Sequence, residues 1–334
     1  MKIHFLPQNG VIGFCAPSLG VAGEPYATRF ENAKNQLRTT YTLWQSESVA
    51  KEAFFASAPA ATRAKEVEEA FTKADAVLSV GGGERMMEIL PYLRFSKLKK
   101  QAKLFLGYSD NTVLTYTLPT ICDVAAVYGY CAPTFGRTPW HESILDTLLM
   151  LQGKKEQFCG YSAYETPNDR PQPPLAPYQP DTPSVWKFSR PLEVQGRILG
   201  GCLDVLRTLV GTPFDKTKAF LRRYERDGVL WFLENCEMSP FDVLRTLWQC
   251  KQAGWFRTAK AFVFGRTAVQ FAPFGMDFIT AVKEVLGKDA PLVWDADFGH
   301  VPPSMPVLMG AKATLCVNEK ERFVRYNFSK EDRV

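Results

Sequence analysis

Three times in its first third the chain runs the same course: a short apolar stretch, a turn of small residues, then a helical pattern. Val11–Ala16 ends in Pro17-Ser18 ahead of the helical pattern of Tyr26–Leu37. Ala76–Val80 runs into Gly81-Gly82-Gly83, and Glu84–Leu93 turns helical. Leu104-Phe105-Leu106 ends in Gly107-Tyr108-Ser109-Asp110-Asn111, and another helical pattern follows at once. Ala61–Phe71 supplies a further helix and Ala125–Tyr128 a further strand. Repeated strand–helix units predict a parallel sheet covered on both faces. In such sheets the ligand crevice lies beyond the carboxyl ends of the strands. Three loops leave those ends here: APSLG, GGGE and GYSDN.

The character changes after residue 164. The segment 165–190 is rich in proline, has little periodicity and reads as an extended linker or loop. Beyond it come the strand-like run Leu192–Leu199, the helix Leu203–Leu209, a strand Val229–Leu233 ending in Glu234, and a helix over Phe241–Gly254. A strand Ala261–Phe264, a helix Phe274–Leu286, a short run Leu292–Trp294 and two closing strands, Ala313–Val317 and Phe323–Phe328, complete the half. The terminal hairpin predicts a mixed sheet. A chain of 334 residues holds about two domains, and the boundaries expected are 1–164, the proline-rich 165–190, and 191–334.

Composition excludes several classes of function. Hydrophobic residues at 46% and charged residues at 22% are ordinary globular values. A net charge of +5, with no long basic run interleaved with aromatics, argues against a nucleic-acid partner. No stretch approaches the roughly 18 apolar residues of a membrane span, and MKIHFLPQNG lacks the apolar core of a signal peptide. The expectation is a cytoplasmic chain. Eight scattered cysteines without a Cys-x-x-Cys pair read as buried free thiols. Only three histidines occur, His4, His141 and His300, and none pair at metal-ligand spacing. No metal is expected.

The residues able to do chemistry are few. Ser109 sits where an apolar strand turns into a helix, with amides aimed outward at a helix N-terminus. That is the setting of a serine nucleophile beside an oxyanion hole. Capping serines and aspartates are commoner, and the stretch alone also suits a cap at Ser109 or Asp110. Glu234 ends the buried run VLWFL, where a carboxylate can orient a histidine or pair with a cation. His300 lies in a loop framed by Gly299 and Pro302-Pro303 and is the general-base candidate by elimination. His141, in PWHES, reads as a helix opener. Gly81-Gly82-Gly83 lacks a dinucleotide or P-loop spacing; its glycines could bring an amide close to substrate or merely make a tight turn. Arg85, Arg197 and Arg245 could each meet a substrate carboxylate or make a structural pair. Tyr108, Tyr178, Trp186 and Trp294 could wall a cleft or fill the core.

Taken together, GFCAPSLG, SVGGGERMMEILPYL, FLGYSDNTVLTYTL, GRILGGCLDVLRTLVGT, VLWFLENCEMSPFDVLRTLWQCKQAGWF, AFVFGR and the FGH loop with MPVLMGAKATL resemble one family over nearly the whole chain. It is the serine peptidase family of the LD-carboxypeptidases (muramoyltetrapeptide carboxypeptidases) and the microcin C immunity proteins. The resemblance implies an α/β fold: an N-terminal Rossmann-like parallel-sheet domain, a C-terminal mixed β/α domain, and an active site between them in a homodimer. It implies a triad of Ser109, Glu234 and His300, with the Asp110 amide and a second amide from Gly82 or Gly83 as the oxyanion hole, and no cofactor. The substrate implied is a small murein peptide or a peptidyl-adenylate, cut at a C-terminal amide. Gly81-Gly82-Gly83-Glu84 departs from the Arg-Gly-Gly-Tyr-Gly type of turn of the murein enzymes and leans toward the immunity branch, as does the insertion at 165–190. In that branch an aromatic residue near this segment stacks on adenine, a role that falls on Trp186. The alternative from another class is a non-catalytic α/β protein binding a nucleotide or sugar phosphate.

Overall fold

The computed structural model describes residues 1–167 and 172–328. Two sheets organise them. In the first, the order across the sheet is Val307–Met309, Ala126–Tyr128, Leu104–Gly107, Ala76–Ser79, Val11–Cys15, Thr42–Gln45. All pairings are parallel except that of Val307–Met309 with Ala126–Tyr128. The central strands Ala76–Ser79 and Leu104–Gly107 are buried at every position. This is why they carry apolar runs rather than polar alternation. Their residues alternate between two cores. Ile12, Phe14 and Leu78 pack with Phe30 and Leu37 of the helix Tyr26–Leu37. Cys15, Val77 and Phe105 pack with Val67 and Phe71 of the helix Ala60–Lys73. Both faces are thus covered, and all three glycine- and serine-bearing loops emerge at one edge.

The second sheet runs Gln157–Phe158, Arg322–Tyr326, Lys312–Val317, Leu192–Cys202, Val229–Glu234, Ala259–Gly265, Leu292–Ala296, Lys187–Phe188. The four strands from Leu192–Cys202 to Leu292–Ala296 are parallel, and the outer ones are antiparallel. The two sheets exchange strands. Val307–Met309, from the second half of the chain, closes an edge of the first sheet, and Gln157–Phe158, from the first half, closes an edge of the second. Among the described residues no helix is long and apolar enough to cross a membrane. All eight cysteines are free, and all but Cys159 and Cys236 are buried.

Several local expectations change. Glu84–Leu93 forms a 3₁₀ helix over Met86–Tyr92 instead of a full helical segment. Pro91 has no N–H to give, and the first amide, Met86 N–H, is taken by the Asp110 carboxylate at 2.8 Å. The helix expected from Phe274 begins at Phe278, because the Asp277 carboxylate caps it by accepting Thr280 N–H at 2.8 Å. Phe274 itself is wholly exposed.

The proline-rich segment, expected as an extended linker or loop, is docked over its described residues. Thr182–Pro183 pairs with Ala163–Tyr164, and Lys187–Phe188 adds an edge to the second sheet. Thr138 N–H donates to the Leu175 carbonyl at 2.9 Å, and Arg137 Nη1 to that of Ala176 at 2.5 Å. Residues 168–171 of that segment lie outside the described residues.

Candidate active site

Ser109 lies two residues past the end of the buried strand Leu104–Gly107 and holds a left-handed backbone, φ +62°. A side chain bearing a Cβ pays about 1–2 kcal/mol to sit there, and such strain collects at functional sites. Surrounding bonds hold the turn. Thr112 Oγ1 donates to the Ser109 carbonyl at 2.7 Å, and Asn111 Nδ2 donates to the Gly81 carbonyl at 2.9 Å, tying the serine loop to the glycine loop. A Cβ on Gly82 would stand 3.2 Å from Ser109 Oγ, so Gly82 is the glycine that faces the serine. Gly83 turns toward Ser18 instead, at φ +136°. Among the described residues no acceptor takes the Asp110 or the Gly82 N–H.

Asp110 is buried beside this turn. Its carboxylate accepts Ser18 Oγ–H at 2.5 Å and Met86 N–H at 2.8 Å. Burial pushes its pKa up to about 6, against the pull of those two donors. The loops after the first, third and fourth strands therefore touch through Ser18, Gly82 and Asp110.

Glu234 ends Val229–Glu234 and is fully buried. Its carboxylate receives His300 Nδ1, 2.8 Å from Oε1 and 2.9 Å from Oε2. Gly299 makes this possible. It holds φ +100°, and a Cβ there would fall 2.8 Å from Glu234 Oε2. The His300 ring lies against Tyr108, with centroids 5.0 Å apart. Burial by itself would lower the imidazole pKa and is the largest single influence, but the Glu234 charge, together with Glu234 and Cys236 as polar partners, outweighs it and holds His300 well above the usual imidazole range. Burial raises the Glu234 carboxyl, and the His300 charge with the hydrogen bonds of His300, Tyr128 and Cys202 reverses that to a net lowering.

Serine turn and carboxylate are linked across the two sheets. Tyr128 accepts the Ser109 N–H on its hydroxyl at 3.2 Å and donates that hydroxyl to Glu234 Oε1 at 2.5 Å. Ser109 Oγ and His300 make no direct hydrogen bond among the described residues.

A second buried carboxylate fixes the His300 loop. Asp297 accepts Ser184 Oγ–H at 2.6 Å, Arg266 Nη1 at 3.0 Å, Trp186 Nε1–H at 2.9 Å and Tyr161 N–H at 3.0 Å. Beside it opens a cleft of about 820 Å³ whose walls include Arg266, Thr267, Trp294 and Val301, the neighbour of His300.

Of the residues read from the sequence as possible substrate contacts, four are engaged with other partners in the structure. Trp186 is 3% exposed with its indole N–H on Asp297, so it has no free face for a stacked base. Arg85 is committed to Glu88 and to the Phe54 carbonyl. Arg245 lies on an outer helical face, 73% exposed and paired with Asp242 one turn back. Arg197 pairs with Asp227 and lies over Tyr224. His141 caps the helix Glu142–Leu151, its Nδ1 accepting Ser143 N–H. Tyr128, Asp297, Arg266, Cys202 and Cys236 were not singled out from the sequence. Only the place of Asp297, three residues before His300, offered a signal.

Two family models match the chain: the LD-carboxypeptidase N-terminal domain over residues 12–129 and the LD-carboxypeptidase C-terminal domain over residues 195–315. The chain belongs to the LD-carboxypeptidase family of peptidases. Among curated relatives, the "Probable murein peptide carboxypeptidase" of Bacillus subtilis is 25% identical over 76% of this chain and 72% of its own length. The Microcin C7 self-immunity protein MccF of Escherichia coli is 23% identical over 94% of this chain and 93% of its own. Among solved structures, MccF in complex with glutamyl sulfamoyl guanosine superposes with a TM-score of 0.84 at 21% identity, covering 98% of each chain. The MccF-like protein of Bacillus anthracis str. Ames gives 0.82 at 20% identity, covering 98% of this chain and all of its own. These matches agree with the two-domain α/β fold and with the peptidase reading, and they lend nothing to the binding-protein alternative.

Proposed function

We propose that this LD-carboxypeptidase relative is a serine peptidase that hydrolyses an amide bond at or near the C-terminus of a small peptide or peptidyl-nucleotide. The observation that carries the reading is the chain Ser109 N–H, Tyr128 hydroxyl, Glu234 carboxylate, His300 Nδ1, which joins a strained serine turn to a buried Glu–His pair. Ser109 Oγ attacks the scissile carbonyl while His300 Nε2 takes its proton. Glu234 keeps the ring proton on Nδ1 and stabilises the imidazolium that forms. The Asp110 amide and the Gly82 amide, on the loop that faces Ser109, receive the tetrahedral oxyanion. His300 then returns its proton to the leaving amine, and water releases the acyl-enzyme. A catalytic hydrogen bond from Ser109 Oγ to His300 closes when substrate binds, as in other enzymes of this type.

The burial of Trp186 removes the proposed adenine platform. The aromatic wall near His300 consists instead of Tyr108, with Tyr130 and then Tyr178 stepping away from it at centroid separations of 6.1 and 5.6 Å. The relatives include both a murein peptide carboxypeptidase and an immunity protein, and both substrate classes share the C-terminal amide. The test is parallel kinetics on a murein tetrapeptide ending in D-alanine and on a non-phosphorylated peptidyl-adenylate analogue. Wild type is expected to release D-alanine or the nucleoside amine, and Ser109→Ala neither. Cleavage of both substrates by Ser109→Ala at the wild-type rate, or of neither by wild type, overturns the reading.

A further inference from the structure

Two thiols flank the His300–Glu234 pair, and the reaction proposed above gives neither of them a task. Parallel pairing sets Cys202 opposite Glu234 at the ends of neighbouring strands. Cys202 Sγ, a Glu234 carboxylate oxygen and a His300 ring nitrogen all lie within 4.8 Å of one another. Cys236, two residues beyond Glu234, is half-buried and close enough to His300 for the two to influence each other electrostatically. The His300 side chain is 20% exposed, whereas Cys202 and Glu234 are buried behind it.

Thiolate, imidazole and carboxylate are the donors that zinc takes in tetrahedral sites, whereas magnesium and calcium take oxygen. We infer that Cys202, Glu234 and His300, with Cys236 at the rim, form an inhibitory site for zinc or another thiophilic divalent cation. The Cys202 thiol sits between the Glu234 and Asp204 carboxylates and gives its proton to Asp204 Oδ2 in a hydrogen bond of 3.4 Å. The same negative charges favour a divalent cation, which displaces that proton to solvent as the metal–sulfur bond forms. No electron is transferred. The inference rests on His300 acting as the base.

Inhibition follows from the tautomers. Neutral His300 carries one ring proton, on Nδ1 when it faces Glu234, and leaves the Nε2 lone pair to accept from Ser109. A cation at Nε2 consumes that lone pair. A cation at Nδ1 drives the proton to Nε2, which becomes a donor. Either way the Ser109 proton has no acceptor.

The test titrates the whole protein with cobalt(II) chloride and follows the thiolate-to-cobalt charge-transfer band, then measures inhibition of hydrolysis by zinc chloride and its reversal by chelator. Each variant is compared with its own uninhibited rate. Wild type is expected to show the band and reversible inhibition, with magnesium chloride inert. Cys202→Ser should weaken both by more than the roughly 10–100-fold that outer-sphere changes cost. Cys236→Ser, which alters only the rim, should weaken them less. Absence of the band in wild type, or a band and inhibition unchanged in Cys202→Ser, overturns the inference. The cobalt band reads the site without turnover, so an inactive protein that still binds cobalt through Cys202 refutes the serine mechanism and leaves the metal site standing.

Discussion

Tyr128 donates its buried hydroxyl to Glu234 Oε1 at 2.5 Å, joining the last parallel strand of the first sheet to the end of a central strand of the second. The Tyr128 hydroxyl oxygen in turn accepts the Ser109 N–H at 3.2 Å. One phenol therefore sets the distance between two parts of the candidate site that lie far apart in sequence.

Tyr128→Phe keeps the ring and removes that bridge. Glu234 Oε1 and the Ser109 N–H both lose a partner, and a buried group left unsatisfied costs about 1–3 kcal/mol. Urea unfolding is expected to show a loss of that order. Steady-state kinetics should show a fall in kcat with KM little changed, since the phenol touches the machinery and not the substrate. Wild-type kcat and stability in Tyr128→Phe would leave the bridge without a role.

At Ser109 two substitutions separate chemistry from strain. Both Ser109→Ala and Ser109→Gly should lose activity by up to about 10⁶-fold, as other triad enzymes do. At φ +62° glycine is relaxed and alanine is not, so Ser109→Gly should be the more stable of the two by about 1 kcal/mol. The comparison is of urea midpoints at equal m-value.

The acid limb of kcat/KM reports His300. A base acts when neutral, and although burial lowers the imidazole pKa, the Glu234 charge and the Glu234 and Cys236 contacts together raise it well above 6.5. Activity should therefore rise with pH through an apparent pKa above that of an ordinary histidine, measured with a chelator present. Glu234→Gln removes the charge and should shift the limb to lower pH while reducing kcat. Stability has the matching sign. The raised His300 pKa contributes stability fully present below pH 6.5 and lost as pH rises through the folded pKa. Glu234, lowered from 4.5 by His300 in spite of burial, contributes stability above that value, lost as pH falls through its folded pKa. A limb that stays in place in Glu234→Gln would show that the two groups are not coupled.

Asp297→Ala should be among the most destabilising single changes near the site. It leaves the buried Arg266 guanidinium without its carboxylate and strips Trp186, Ser184 and Tyr161 of an acceptor. Removing one partner of a buried pair costs about 3–5 kcal/mol. Thermal or urea unfolding checks the size. An effect below about 1 kcal/mol, the range of an exposed pair, would mean that solvent reaches the cluster.

The local pieces of this site could be read in the sequence because each is governed by its own neighbours in the chain. An apolar run before Gly107-Tyr108-Ser109 specifies a buried strand and a sharp turn. VLWFL before Glu234 specifies a carboxylate at a strand end, and Gly299 with Pro302-Pro303 specifies a held loop around His300. Whole-chain spacing of such blocks also carried the family resemblance. What the tertiary structure decided depends on pairing between distant strands. Tyr128 reads as one more strand residue until the second sheet brings Glu234 to it. Trp186 reads equally as a cleft wall or as core until Asp297 takes its indole N–H and buries it. Arg85 could meet a substrate carboxylate or a structural partner, and the 3₁₀ turn decides it by setting Glu88 beside it. Val307–Met309 is too short to announce itself and becomes a strand only because Ala126–Tyr128 leaves an open edge for it to complete. Backbone conformation is largely a local matter, whereas the partner of a buried polar group is chosen by whichever chain segment folding brings within 3 Å or so.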